Sequence, residues 1–289
     1  EQPQQQQQQH QQKQEAQSLV ASSPFWCQFV PNAFKSTACG GQEPSSTRPP
    51  SSAVPSPAQC QQMPAEQQAK NAACTYSEKE AVQFAALSAA AYCNPEGWTC
   101  GEACSAVPGM TSVKRIDNDE LDAHAYVGRL GEACVVVFRG TDSASGWGQD
   151  LASVMLTELP GCSHQGKSCM VGSGFLQNYQ EIAGDIRAQL SVIGCTKTTP
   201  LFVTGHSLGA AMATLAMFDL NRLGYSLSKA YTFGQPRVGD SAFASAFHEA
   251  MASTPVHRVT RADDPVVYMP GRDPFHHVGT EIYYRGETT

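Results

Sequence analysis

Small and apolar positions return at helical spacing soon after residue 76: Ala81, Phe84, Ala85, Leu87, Ser88 and Ala91 follow a capping box made by Ser77-Glu78-Lys79-Glu80. A second helix is predicted over 174–193, with Phe175, Tyr179, Ile182, Ile186, Leu190 and Ile193 on one face. Short alternating or wholly apolar runs predict strands at 112–116, 124–129, 134–138, 201–204, 229–233, 256–260 and 281–284. A helix after the 201–204 strand runs to Leu223, and another covers 241–251. Strands and helices that alternate, with central strands as apolar as Val135-Val136-Val137, predict a mostly parallel sheet covered by helices on both faces. In such sheets ligands gather at the carboxyl ends of the strands.

Residues 1–75 lack this patterning. A Gln-rich run, a Ser/Pro stretch and QQMPAEQQAK cannot bury enough apolar surface to offset chain entropy, so a disordered linker or pro-segment is expected. Phe25-Trp26-Cys27-Gln28-Phe29-Val30 is a small apolar island within it, and Cys27, Cys39, Cys60 and Cys74 are available to staple it locally or to the domain. The predicted organisation is a tail over 1–75 and one domain over 76–289.

Composition narrows the functional classes. Nineteen basic against 26 acidic side chains give a net charge of −7 with no Lys/Arg run, which argues against nucleic acid and against electrostatic docking on anionic lipid. The longest apolar stretch, near Leu208 to Phe218, is far short of the ~20 residues of a membrane span. Eleven cysteines include the close pairs Cys100/Cys104 and Cys162/Cys169, without zinc-site spacing, so disulfides and an oxidising compartment are expected and no metal or cofactor is. A start at Glu1 fits a mature secreted protein.

Candidate chemistry centres on Gly205-His206-Ser207-Leu208-Gly209, a G-x-S-x-G turn between the 201–204 strand and an apolar helix. In such an elbow the serine is a nucleophile, and the Leu208 N–H at the helix's positive end faces a tetrahedral oxyanion. A second oxyanion donor is expected from another strand end. Thr141 in Val137-Phe138-Arg139-Gly140-Thr141-Asp142 is the candidate, although an ordinary turn has the same spacing. The acid is sought past the 256–260 strand, at Asp263 or Asp264. Hydrolases of this kind run Ser, then acid, then His, which removes His10, His124, His164, His206, His248 and His257 and leaves His276 and His277, with His277 preferred from spacing.

From Tyr76 to Tyr284 the chain resembles the class 3, or fungal-type, triacylglycerol lipases and their feruloyl esterase relatives, which share the α/β-hydrolase fold. AYCNPEGWTCGEAC, VVVFRGTDSASGWGQDL, GSGFLQNY, VTGHSLGAAMATLA, YTFGQPRVGD, TRADDPVVYMP and HHVGTEIYY carry the resemblance, in the family's order. It implies Ser207 as nucleophile, Thr141 and Leu208 as the oxyanion-hole pair, and Asp264 rather than Asp263 as the triad acid. It also implies that HVGTEIYY enters a late strand and that the triad histidine comes further on, beyond Thr289, with His277 a weak candidate in the chain. By the same resemblance Cys93 would bridge to a cysteine near that histidine, while Cys100/Cys104 and Cys162/Cys169 match local bridges. Cys134 and Cys195 are a further candidate pair, at the non-catalytic ends of strands expected to be neighbours. The family's lid falls between Thr141 and Leu151, where DSASGWGQD offers Trp147 as its single large apolar residue, and Gly172 stands where the family often has a histidine.

The function these observations imply is a secreted serine ester hydrolase of the lipase type, acting on acylglycerols or related carboxylic esters. Its expected partners are a lipid or small ester substrate, with any contact at a lipid–water interface hydrophobic, and the expected state is a monomer. The alternatives are a non-catalytic, truncated lipid- or ester-binding protein and a feruloyl-type esterase.

Overall fold

The computed structural model describes residues 72–141, 151, 154–261 and 264–284. The Gln-rich tail up to residue 71 with its apolar island, the lid stretch 142–150 with Trp147, and Asp263 lie outside the described residues.

Every predicted strand and helix is present, with ends shifted by one or two residues. In chain order the described elements are α1 (Glu78–Ala90), α2 (Gly101–Ser105), which was not predicted, β1 (Met110–Asn118), β2 (Ala123–Leu130), β3 (Ala133–Phe138), β4 (Leu156–His164), β5 (Lys167–Gly172), α3 (Ser173–Val192), β6 (Leu201–His206), α4 (Leu208–Arg222), β7 (Leu227–Phe233), α5 (Ser241–Ala250), β8 (Val256–Arg261) and β9 (Thr280–Tyr284). Seven strands form the sheet β1-β2-β3-β6-β7-β8-β9. β1 and β2 pair antiparallel, β2 and β3 likewise, and every pairing from β3 to β9 is parallel. α3, α4 and α5 lie in the crossovers from β3 to β6, β6 to β7 and β7 to β8, whereas β8 leads to β9 by way of the 3-10 turn Pro265–Tyr268.

The strands' side-chain alternation divides the core in two. Cys134, Val136 and Phe138 of β3 and Leu201 and Val203 of β6 join Phe175, Ile182, Ile186 and Leu190 of α3 and most of α4 in one apolar cluster. On the other face β6 turns Phe202 against Phe84 of α1 and Thr204 against Ser88. Thr204 Oγ1 donates to the Tyr231 carbonyl at 2.7 Å, so Ser88 Oγ is the donor in its 2.9 Å bond to Thr204. Tyr126 of β2 donates to the Leu87 carbonyl at 2.7 Å. The capping box is half made: Ser77 Oγ accepts from the Glu80 N–H at 3.3 Å, but the Glu80 carboxylate turns to Lys229 and Tyr231 instead of back to Ser77.

The β4–β5 hairpin is an addition to the predicted elements. β4 carries Pro160-Gly161, its pairing with β5 is interrupted between Glu158 and Ser163, and Cys162 is its one buried residue, so alternation is nearly absent. The Cys162–Cys169 disulfide staples it. Cys100–Cys104 and Cys134–Cys195 are also bonded, and Cys74 is a disulfide cysteine. Cys93 is a half-buried free thiol that donates to the Ala90 carbonyl, and burial pushes it up to about 11.

Candidate active site

β3, β6, β7 and β8 run parallel and side by side, so the residues that follow them emerge along one carboxyl edge. Thr141 follows β3, Ser207 follows β6, Gly234 follows β7 and Asp264 lies three residues past β8. The four predicted site positions, Thr141, Ser207, Leu208 and Asp264, are thus gathered at the edge where parallel sheets hold their ligands.

Ser207 has φ 56° and ψ −126°, a conformation that costs an L-residue on the order of 1–3 kcal/mol and persists only where surrounding contacts enforce it. The Ser207 N–H donates to the Phe233 carbonyl at the end of β7 at 2.9 Å, and its carbonyl accepts from Ala210 at 2.9 Å. Its side chain does not cap α4, so the hydroxyl is not spent on the helix. Leu208 is the first residue of α4, with its N–H among those that a helix leaves unsatisfied. Both residues are half-buried.

Missing side chains let the site close up. A carbon added at Gly209 would collide with the Phe138 carbonyl and lie 2.7 Å from the Arg139 carbonyl carbon. One added at Gly140 would meet the Tyr92 hydroxyl, lie 2.6 Å from the His206 carbonyl and 3.2 Å from Ser207 Cβ. The β3 loop therefore presses directly on the elbow and delivers the half-buried Thr141 one residue beyond the contact. At Gly234, with φ +54°, an added carbon would fall 2.7 Å from Asp264 Oδ2 and 3.6 Å from His206 Nε2, so this glycine leaves room for acid and elbow together. Gly140 and Gly234 were not singled out from sequence as site residues; a glycine within two residues of each apolar strand's end was the available signal.

Asp264 is buried, at 3% exposure. It begins the 3-10 turn Pro265–Tyr268, and its Oδ1 accepts the Val266 N–H at 2.9 Å.

The histidines are largely committed elsewhere. His206 is buried and shares a 2.7 Å hydrogen bond between Nδ1 and the Tyr92 hydroxyl; burial pulls it down to about 4, so its imidazole is neutral at pH 7. His124 reaches the same sheet edge, but its two nitrogens meet Asp117 at 2.5 Å and Asp122 at 3.2 Å. His257 lies on Tyr231 and against Tyr76, and His164 faces Glu249. His277 Nε2 donates to the Val267 carbonyl at 2.8 Å. His276 is exposed, and its N–H donates to the Gly239 carbonyl. Among the described residues, no histidine nitrogen hydrogen-bonds the Ser207 hydroxyl. Gly172 has a packing reason: a side chain there would lie 2.6 Å from the Phe175 ring and 2.8 Å from Val154.

The profile of the family described as Lipase (class 3) matches residues 135–273. A lipase of Rhizomucor miehei is 32% identical over 226 residues, covering 73% of this chain and 60% of its own length. The secreted mono- and diacylglycerol lipase A of Penicillium cyclopium is 34% identical over 157 residues, 53% of this chain and 49% of its own. The solved structure of the Rhizomucor miehei triacylglyceride lipase superposes with a TM-score of 0.62 at 30% identity, covering 72% of this chain and 81% of the other. The chain spans about half to three fifths of the length of these curated relatives.

Proposed function

The chain belongs to the class 3 lipase family, and we propose from that premise that residues 76–289 act as a secreted carboxylic ester hydrolase with Ser207 as nucleophile. The observation that carries this reading is the strained Ser207 at the head of α4, its hydroxyl unspent, with Asp264 and the Thr141 loop converging on the same edge.

In the reaction, Ser207 Oγ attacks the ester carbonyl, its proton passes to a base, and the tetrahedral oxyanion receives the N–H groups of Thr141 and Leu208. Collapse expels the alcohol and leaves an acyl-serine, which water then hydrolyses. Asp264 orients the base and stabilises its cationic form. We assign that base to none of the described histidines. His206 and His277 are held by Tyr92 and the Val267 carbonyl, and both are pushed down by burial, to about 4 and about 3. The relatives' names include triacylglyceride lipase and mono- and diacylglycerol lipase, which supports acylglycerols as the substrate class. The relatives named as secreted support an extracellular location.

The test is p-nitrophenyl butyrate turnover by the whole protein beside Ser207→Ala. A fall on the order of 10⁵-fold is expected, and Asp264→Asn should cost on the order of 10⁴-fold. Equal rates for wild type and Ser207→Ala would overturn the reading. Among the described residues no histidine nitrogen hydrogen-bonds the Ser207 hydroxyl, and this favours one second reading, an ester-binding protein without turnover. Saturable binding of a short-chain ester with no release of nitrophenol would support it.

A further inference from the structure

On the face of β8 and β9 opposite His257, a cavity of about 400 Å³ is lined by Arg237, Arg258, Arg272, His277, Glu281 and Tyr283, among others. Strand pairing builds it, because Arg258 lies directly across from Glu281 and Thr260 across from Tyr283. The charges do not balance. Glu281 Oε1 accepts from Arg258 Nη1 at 2.9 Å and from Thr260 Oγ1 at 3.1 Å. Arg237 donates to the carbonyls of Tyr268 and Pro270, which hold it in place without cancelling its charge. Arg272 lines the cavity and is itself exposed. Among the described residues of the wall, three guanidinium groups therefore face one carboxylate, an excess of two positive charges.

One buried donor here lacks a partner. Arg258 is 5% exposed, yet its Nε has no acceptor. A buried donor left empty costs about 1–3 kcal/mol, more for a charged group, so such an atom points to something that fills it. The groups also repel one another. Burial comes first in pulling Arg237 down and in holding His277 near 3, with repulsion from Arg272 second for Arg237 and from Arg258 second for His277; for Arg258 burial is again first, Glu281 offsets part of it, and the repulsion from Arg237 is smaller.

We propose that this cavity binds one compact phosphate group, either free phosphate or the phosphate of a lipid headgroup. A phosphate dianion matches the excess of two charges, and its tetrahedral oxygens accept guanidinium donors from several directions at once. Arg258 Nε gains its acceptor, and Arg272 closes over the ligand from the solvent side. The site is separate from the serine elbow but shares a wall with it, since Val267 and Tyr268 belong to the turn that begins at Asp264. An occupied cavity would brace that turn.

The test is calorimetric titration of the purified chain with sodium phosphate at constant ionic strength, in wild type, Arg258→Gln and Arg272→Ala. Saturable binding is expected, abolished by Arg258→Gln and weakened about tenfold by Arg272→Ala, which corresponds to one lost charge-assisted contact. Arg272 is exposed, so its variant keeps the inference testable if Arg258→Gln fails to fold. A parallel titration with soluble dibutyryl phosphatidate separates the sources: tighter binding than inorganic phosphate assigns the site to a headgroup, equal or weaker binding to free phosphate. No saturable heat with phosphate, or an affinity unchanged in Arg272→Ala, would overturn the proposal.

Discussion

The two faces of the central sheet are packed by different means. Toward α3, α4 and α5 the contacts are almost wholly apolar: Phe175, Ile182, Ile186, Leu190, Met212, Phe218, Phe243 and Phe247 are all buried in one cluster. Toward α1 the sheet presents polar and aromatic partners in matched pairs, Tyr126 with the Leu87 carbonyl, Ser88 with Thr204, Tyr231 with Glu80, and Tyr92 with His206. Apolar contact is strong but tolerant of small shifts, whereas a buried hydrogen bond is satisfied in only one register. The first face supplies most of the stability. The second sets where α1 sits along the strands, and it ends at His206, the residue before the nucleophile candidate.

This contrast can be broken in order of effect. Phe243→Ala removes a ring packed against Phe218 and Phe247 on the apolar face and should cost about 3–5 kcal/mol in chemical denaturation, with reactivity at Ser207 preserved in the molecules that stay folded.

Acid should act more strongly through the α1 face. His206 and His257, both on that side, are held down to about 4, chiefly by burial. Their folded pKa lies below the ordinary value of about 6.5, so between these values the unfolded chain binds more protons. The stability they contribute is complete above about pH 6.5 and is lost as the pH falls toward 4. His277 adds a change of the same sign from the opposite face. Unfolding free energies at pH 7.5 and 4.5 should differ by ~2 kcal/mol or more, and a flat profile would contradict neutral buried histidines.

Tyr92→Phe should cost about 1 kcal/mol in stability and lower kcat more than it raises KM, because it frees the His206 ring next to Ser207. The smallest effect is expected for Ser88→Ala, about 0.5–1 kcal/mol, since Thr204 keeps its bond to the Tyr231 carbonyl. If Ser88→Ala instead costs as much as Phe243→Ala, the division of labour between the faces is wrong.

Much of this was readable along the chain. Each main helix and sheet strand shows its period within a dozen residues, and the elbow is a local motif whose glycines and serine are adjacent. Asp264 was harder, because Asp263 carries the same chemistry one residue away and only the family register separated them. The β4–β5 hairpin escaped because Pro160 and Gly161 erase its alternation and a disulfide stands in for an apolar face. The arginine cavity left no local trace: Arg237, Arg258 and Arg272 come from three separate segments.

By itself the sequence determined the order of elements, the strand-turn-helix around Ser207 and the chemistry that turn implies, because these depend on neighbours a few residues apart. Tertiary structure alone decided which strands lie side by side, that Thr141, Ser207 and Asp264 share one edge, that His206 is turned to Tyr92, and that three arginines meet over one glutamate. Those outcomes rest on strand pairing and on clearances at Gly140, Gly209 and Gly234, contacts between residues far apart in the chain that exist only once the sheet has formed.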